Sequence, residues 1–251
     1  MQVIINDIKV NYNKSGDRGQ SVILLHGWGQ NISMMDPVAQ HLKEDFIIYN
    51  LDLPGFGESE IPKTVYGVEE YTELLKNFIG VNQISNPIII AHSFGVRIAI
   101  LYAANNPVHK LIFTGGAGIL PKRGLKYYLR LYTYKLGKLV LSLPGLEKVK
   151  EKYQKNAGSS DYQALDGIMR QSFVKIVNLD LSPYLKDIKA ETLLVWGSLD
   201  DATPLWMGKK MEKEIPNAGL AIFENDDHYA YWNQMPRFLS VIDIFLEEDK
   251  L

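Results

Sequence analysis

The chain reads Pro-Ile-Ile-Ile-Ala-His-Ser-Phe-Gly over residues 87–95. The apolar run that ends at Ala91 has the length and the β-branched content of a strand buried on both faces. A helical pattern follows it over residues 95–105. Ser93 therefore falls on a tight turn from a strand into a helix, where its hydroxyl stands above the sheet edge at the positive end of the helix dipole. A serine in this place is a candidate nucleophile, although short strings of small residues around a serine are common.

Similar apolar runs recur along the chain and alternate with helical patterns. A strand or hairpin is predicted first, over residues 2–12. The strands predicted after it cover residues 21–25, 46–51, 87–91, 110–114, 192–196 and 220–223. The predicted helices cover residues 34–43, 68–80, 95–105, 204–214 and about 238–246. This alternation is typical of an α/β fold with a mostly parallel central sheet that helices cover on both faces.

The segment from residue 119 to residue 186 breaks the alternation. It contains no clear strand, and its leucines and tyrosines recur at helical spacing. We therefore predict a helical cap, or lid, over residues 119–186, inserted into a core that residues 1–118 and 187–251 form together.

The first part of this segment is strongly basic. Ten basic and two acidic residues lie between residues 119 and 156. The excess predicts a solvated helix surface, attraction of an anionic substrate, or peripheral contact with an anionic membrane surface. Tyr128 and Tyr132 lie among these charges and are candidates for lining a substrate pocket.

Composition excludes several classes of function. The chain has 251 residues, of which 46% are apolar and 22% are charged, an ordinary globular balance. It has no cysteine, which excludes thiolate nucleophiles, iron–sulfur clusters and cysteine-ligated zinc. A net charge of −2 gives nucleic-acid binding no bulk electrostatic support. Without a secretory leader pattern or an apolar run of about 18 residues, we expect a cytoplasmic protein with no integral membrane segment.

A glycine-rich turn follows the strand predicted over residues 21–25. It reads His-Gly-Trp-Gly over residues 26–29. Such a turn can aim backbone N–H groups at a developing oxyanion. We interpret His26 itself as a packing or turn-fixing residue.

Two further motifs follow the last predicted strands. Asp200 and Asp201 come after the strand over 192–196, where either carboxylate could instead cap the next helix. His228 comes after the strand over 220–223, and its ordinary pKa of about 6.5 suits a general base near neutral pH. Because parallel strands end at one edge of a sheet, these side chains could meet Ser93 there.

The chain order of a serine, an aspartate and a histidine, each at the end of a different predicted strand, resembles the α/β-hydrolase superfamily. The chain is similar to its capped members over essentially its whole length. Residues 52–59, which read Asp-Leu-Pro-Gly-Phe-Gly-Glu-Ser, resemble a loop of that family, and we interpret them as a structural brace.

The resemblance implies a role for each motif residue. Ser93 matches the nucleophile, and His228 matches the general base and acid. Asp200 matches the acid that orients the histidine, with Asp201 as the second choice.

The residues after the nucleophile and after the His-Gly pair, Phe94 and Trp28, match the backbone donors of the oxyanion hole. Ala91 and Val96 stand where the family often has glycine, which tightens the turn slightly without changing the chemistry.

The function that the resemblance implies is hydrolysis of an ester-like or thioester-like acyl bond in a small molecule, without a metal or an organic cofactor. A serine at position 93 disfavours the dehalogenases and epoxide hydrolases of this superfamily, which use an aspartate there. Two alternatives stay open. One is a carbon–carbon bond hydrolase of diketone-like acids, and the other is a non-hydrolytic small-molecule binding protein on the same fold.

Overall fold

The computed structural model describes residues 1–120, 133, 137 and 167–250. The strands in this part of the chain are β1 (Gln2–Ile5), β2 (Ile8–Ser15), β3 (Ser21–Leu25), β4 (Ile47–Leu51), β5 (Ile88–His92), β6 (Lys110–Thr114), β7 (Glu191–Gly197) and β8 (Ala218–Phe223). They form one sheet in the order β1-β2-β4-β3-β5-β6-β7-β8. β2 pairs antiparallel with β1 and with β4, and every other neighbouring pair is parallel. The predicted α/β class with a mostly parallel sheet is confirmed.

The helices described are α1 (Asp36–Leu42), α2 (Val68–Val81), α3 (Phe94–Ala103), α4 (Gly167–Val177), α5 (Leu205–Glu214), α6 (Ala230–Asn233) and α7 (Met235–Phe245). Most bounds agree with the sequence patterns to within a residue or two. α7 begins three residues before the predicted start, with Pro236 in its first turn, where a missing N–H costs nothing. The four-residue helix α6 was not predicted, because it is too short to show a period.

Helices cover the sheet on both faces, and β5 shows how. All five of its residues are buried. Ile89 and Ala91 belong to the apolar cluster that contains the buried faces of α2 and α3. Ile88 and Ile90 belong to the opposite cluster, with the buried faces of α1 and α7. A strand between two apolar layers needs an uninterrupted apolar run, which explains the sequence at this position.

The described residues between β6 and β7 form α4 and a short 3₁₀ helix over Ser182–Asp187, and they contain no strand. α4 is tied to the start of α2. The hydroxyl of Ser172 accepts a hydrogen bond of 2.9 Å from the backbone N–H of Tyr66. Lys175 forms an ion pair with Glu70 at 2.7 Å. The division into a core and a cap over residues 119–186 stays a prediction, since most of that segment lies outside the described residues.

None of the helices in the described ranges combines the length and the apolar character needed to cross a membrane.

Candidate active site

Ser93 lies on the turn between β5 and α3, with φ of 49° and ψ of −105°. A residue with a side chain rarely adopts a positive φ, and such a conformation costs on the order of 1–3 kcal/mol. The space after the turn is also limited, because a Cβ added to Gly95 would lie 2.5 Å from the carbonyl oxygen of Leu25 on β3. The turn therefore presents the hydroxyl of Ser93 at the carboxyl edge of the sheet and requires a glycine two residues later.

Three side chains from distant parts of the chain meet at this edge. Nε2 of His228 lies 2.9 Å from Oγ of Ser93. Nδ1 of His228 lies 2.8 Å from Oδ2 of Asp200. With its proton on Nδ1, the neutral imidazole donates to the carboxylate and accepts from the serine hydroxyl. Ser93 follows β5, Asp200 follows β7 and His228 follows β8, so the parallel sheet brings them together.

The carboxylate of Asp200 is held from several sides. Its side chain has no exposed surface. Oδ1 accepts hydrogen bonds from the backbone N–H groups of Ala202, at 3.0 Å, and Thr203, at 2.8 Å. Oδ2 accepts a further bond of 2.8 Å from the Thr203 hydroxyl. Asp201 is exposed at the rim of the cavity. Of the two candidate aspartates, the structure therefore places Asp200 against His228.

The predicted oxyanion donors, Trp28 and Phe94, line the same cavity as Ser93. Phe94 is the first residue of α3, where a backbone N–H has no acceptor within its own helix. The turn that carries Trp28 is closed by Gly27 and Gln30. The N–H of Gly27 donates to Oε1 of Gln30 at 2.8 Å, and the N–H of Gln30 donates to the carbonyl of Gly27 at 3.2 Å. The role of these donors stays a prediction.

A cavity of about 600 Å³ opens above Ser93. Near the nucleophile its wall is aromatic. The ring of Trp28 lies 5.2 Å from that of Phe94 and 5.1 Å from that of Phe173 on α4. The predicted pocket residues Tyr128 and Tyr132 lie outside the described residues.

Two buried histidines lie beside the site and stay neutral. Nε2 of His26 accepts from the N–H of Leu53 at 3.0 Å, and Nδ1 donates to the carbonyl of Gly27 at 2.7 Å. Burial lowers the pKa of His26 to about 4. These contacts confirm its interpretation as a turn-fixing residue.

His92 lies under the catalytic candidate, with its ring centroid 4.9 Å from that of His228. Its Nδ1 donates to the carbonyl of Thr114 at 3.0 Å. Burial lowers the pKa of His92 well below its ordinary value, and the neighbouring His228 lowers it further. His92 is therefore a neutral ring packed beside the catalytic candidate.

The loop that begins at Asp52 is tied to β2 and to the segment after the His26 turn. Oδ2 of Asp52 accepts hydrogen bonds from the side-chain amide of Asn11 and the backbone N–H of Glu58, at 2.8 and 2.9 Å. Oδ1 accepts a bond of 2.8 Å from the N–H of Ile32. These contacts confirm the structural interpretation of the loop.

Two residues of the site, Thr203 and Arg97, were not predicted from the sequence. Thr203 holds Asp200 through its backbone N–H and its hydroxyl, and an aspartate that accepts hydrogen bonds from the backbone a few residues later is typical of a local turn. Arg97 lines the cavity from α3, and its Nη1 donates to the carbonyls of Ile176 and Leu179, both at 3.0 Å. The available signal was a single arginine, four residues after Ser93, in an otherwise apolar helix.

Across residues 1–120 and 167–250, no group of three or more histidine, aspartate or glutamate side chains is arranged to hold a metal ion.

A family model for the alpha/beta hydrolase fold matches residues 20–234. The chain is 26% identical to a 2-hydroxy-6-oxononadienedioate/2-hydroxy-6-oxononatrienedioate hydrolase from Pseudomonas putida, over 96% of this chain and 92% of that one. It is 27% identical to a hydrolase of the same name from Dechloromonas aromatica, over 96% and 91% of the two chains.

Solved structures with the same fold include an esterase from Exiguobacterium antarcticum, with a TM-score of 0.76 and 22% identity over 98% of both chains. An enol-lactonase from Burkholderia xenovorans superposes with a TM-score of 0.76 and 19% identity, over 98% of this chain and 100% of that one. The family match, which covers most of the sequence, shows that the chain belongs to the alpha/beta hydrolase fold family.

Proposed function

We propose that this member of the alpha/beta hydrolase fold family is a serine hydrolase that cleaves an ester or thioester bond of a small molecule. One observation carries the proposal, the hydrogen-bonded chain from Asp200 through His228 to Ser93, with links of 2.8 and 2.9 Å. A nucleophile, a base and a group that orients the base are the three parts that this chemistry needs.

In the first step Oγ of Ser93 attacks the substrate carbonyl while Nε2 of His228 takes the hydroxyl proton. Asp200 holds the proton on Nδ1 and stabilises the imidazolium that forms. The backbone N–H groups of Trp28 and Phe94 stabilise the oxyanion, and removing one such donor typically costs about 2.7–4 kcal/mol.

The intermediate then collapses. The C–O or C–S bond breaks, the leaving group takes the proton from His228, and the acyl group stays on Ser93. His228 next removes a proton from water, whose oxygen attacks the acyl carbon and releases the carboxylic acid.

The predicted cap over residues 119–186 belongs to this proposal as the cover of the cavity. Its described helix α4 supports the assignment, because Phe173 packs against Trp28 and the residues Ile176 and Val177 line the cavity wall. A volume of about 600 Å³ suits a small organic molecule. Whether the basic part of the cap also attracts an anion or a membrane surface is a separate hypothesis.

The second candidate function is hydrolysis of a carbon–carbon bond next to a ketone. The names of the relatives at 26% and 27% identity, which specify hydroxy-oxo dicarboxylates, favour it. Ser93 and His228 would supply the same nucleophile and base, and the carbon fragment, rather than an alkoxide, would take the proton.

A substrate panel on the wild type and on Ser93→Ala tests both candidates. It contains nitrophenyl esters, thioesters and a diketone acid of the carbon–carbon class, and a fluorophosphonate probe labels the nucleophile. We expect labelling and turnover in the wild type, a loss of about 10⁶ in kcat for Ser93→Ala, and no labelling of that variant. A kcat/KM for the diketone acid well above that for every ester would establish the second candidate.

An unlabelled wild type that turns over no substrate would contradict both candidates. That outcome would favour the third reading, a small-molecule binding protein on this fold.

A further inference from the structure

We propose that the guanidinium of Arg97 is a carboxylate-binding subsite of the cavity, so that the substrate carries a carboxylate a few bonds from its scissile carbonyl. The inference rests on the proposed function, because Ser93 marks the position of that carbonyl. It concerns the substrate class and not the reaction mechanism.

The position of Arg97 on α3 suits this role. Ser93 immediately precedes α3, and Arg97 is the fourth residue of that helix, within its first turn or so. Both residues line the cavity. A ligand attacked by Ser93 can therefore reach Arg97 without leaving the cavity.

The hydrogen-bond donors of Arg97 are only partly used. Nη1 donates to the carbonyls of Ile176 and Leu179, at the end of α4. Within the part of the chain that the structure describes, Nε and Nη2 have no partner, and neither atom is a fully enclosed unsatisfied donor. The free Nε and Nη2 edge presents two parallel N–H groups, the geometry that binds a carboxylate with two hydrogen bonds.

The charge of Arg97 is also poorly compensated. The residue is 7% exposed, and no carboxylate in the described residues forms an ion pair with it. Burial lowers the pKa of Arg97 to about 10, and the charge of Asp180 opposes that shift. Asp180 itself accepts hydrogen bonds from the backbone and the hydroxyl of Ser182.

A purely structural role for Arg97 would need neither its positive charge nor its second pair of hydrogen-bond donors. Holding the end of α4 uses Nη1 alone, and a glutamine side chain could donate to one of those carbonyls. A buried cation that keeps two donors unpaired on a cavity wall is expensive unless an anion completes it. The aromatic wall of Trp28, Phe94 and Phe173 suits the apolar carbons between the two ends of such a substrate.

The first experiment needs only the wild type. It compares the mononitrophenyl esters of succinic, adipic and suberic acid with the matching esters in which a primary amide replaces the free carboxylate. Turnover by Ser93→Ala is subtracted as the background. We expect kcat/KM for at least one acid to exceed that of its amide by roughly tenfold to a hundredfold, the effect of a hydrogen bond to a charged group. Equal values at every chain length would overturn the inference.

The second experiment compares Arg97→Gln with Arg237→Gln, a change at an exposed arginine outside the cavity. We expect the ratio of kcat/KM for the acid to kcat/KM for its amide to fall to about one in Arg97→Gln, because only the acid loses a charged hydrogen bond. Arg237→Gln should keep the preference for the acid. A preference that survives in Arg97→Gln would overturn the inference, and if that variant fails to fold, the wild-type comparison decides alone.

The failure of the proposed function looks different. In that case neither the acids nor the amides are hydrolysed and the probe labels nothing. Adipate is then titrated calorimetrically into the wild type and Arg97→Gln, and absence of binding to the wild type, or equal binding to both, overturns the carboxylate subsite as well.

Discussion

Replacing Asp200 by asparagine tests how the carboxylate controls His228. Oδ1 accepts two backbone hydrogen bonds, from Ala202 and Thr203, so the amide oxygen of the asparagine must take that position. The amide nitrogen then takes the place of Oδ2, 2.8 Å from Nδ1 of His228. It can only donate there, which forces the imidazole proton onto Nε2.

A protonated Nε2 can no longer accept the proton of Ser93. We therefore expect Asp200→Asn to lower kcat by about 10⁴, or roughly 5.5 kcal/mol in the barrier, with little change in the fold. The matched control is Asp201→Asn, which changes an exposed carboxylate one residue away and should keep wild-type kcat.

The assay is turnover of a neutral nitrophenyl ester, with active sites counted by fluorophosphonate titration and the fold checked by circular dichroism. Activity of Asp200→Asn within about tenfold of the wild type would refute the tautomer argument. With its proton on Nε2 instead of Nδ1, His228 could not act as the base. A comparable loss in Asp201→Asn would show that the other aspartate is the one that matters.

Three further predictions concern stability. Ser93→Gly should unfold in urea with a free energy about 1 kcal/mol higher than Ser93→Ala, because relief of the strained φ of 49° outweighs the extra entropy of an unfolded glycine; an equal or lower value for glycine would show that the turn is not strained. Asp52→Ala should lower the free energy of unfolding by at least about 3 kcal/mol, since it strands three hydrogen-bond donors, and a change below about 1 kcal/mol in urea unfolding would contradict the bracing role. The pKa of His26 is about 4 in the folded protein and about 6.5 when unfolded. The contribution of His26 to the free energy of unfolding should therefore be complete above pH 6.5 and should fall by about 3 kcal/mol as the pH is lowered to 4. In His26→Gln the free energy of unfolding, measured in urea, should depend less on pH over this range. The same pH dependence in the variant and the wild type would show that His26 is not buried as a neutral group.

The sequence predicted the parts of the fold that depend on simple periods. A strand buried on both faces needs an uninterrupted apolar run, so the run from Ile88 to Ala91 was enough to predict β5 from the sequence. The edges of elements depend on caps and contacts, so α7 begins earlier than its apolar pattern. α6 has only four residues and carries no periodic signal.

The parts of the candidate site that follow directly from strand order could be predicted from the sequence. Ser93 and His228 each follow a strand, and parallel strands end together, so their meeting follows from topology. The choice between Asp200 and Asp201 depends on the direction of two neighbouring side chains, which spacing alone leaves open. Arg97 was not predicted because the sequence does not show whether a single arginine in an apolar helix lies at the surface or on a cavity wall. That depends on the residues packed around it.

The triad geometry and the cavity wall answer different questions about this protein. A serine, a histidine and an aspartate within hydrogen-bond distance support acyl transfer and carbon–carbon hydrolysis equally, because both begin with attack on a carbonyl. Substitutions at Ser93 or Asp200 therefore measure whether the site is catalytic and leave the substrate open. The substrate is selected where binding energy differs between candidates, at the aromatic wall around Trp28 and at the unpaired donors of Arg97. A carboxylate preference that disappears in Arg97→Gln would thus restrict the substrate class in a way that no triad variant can.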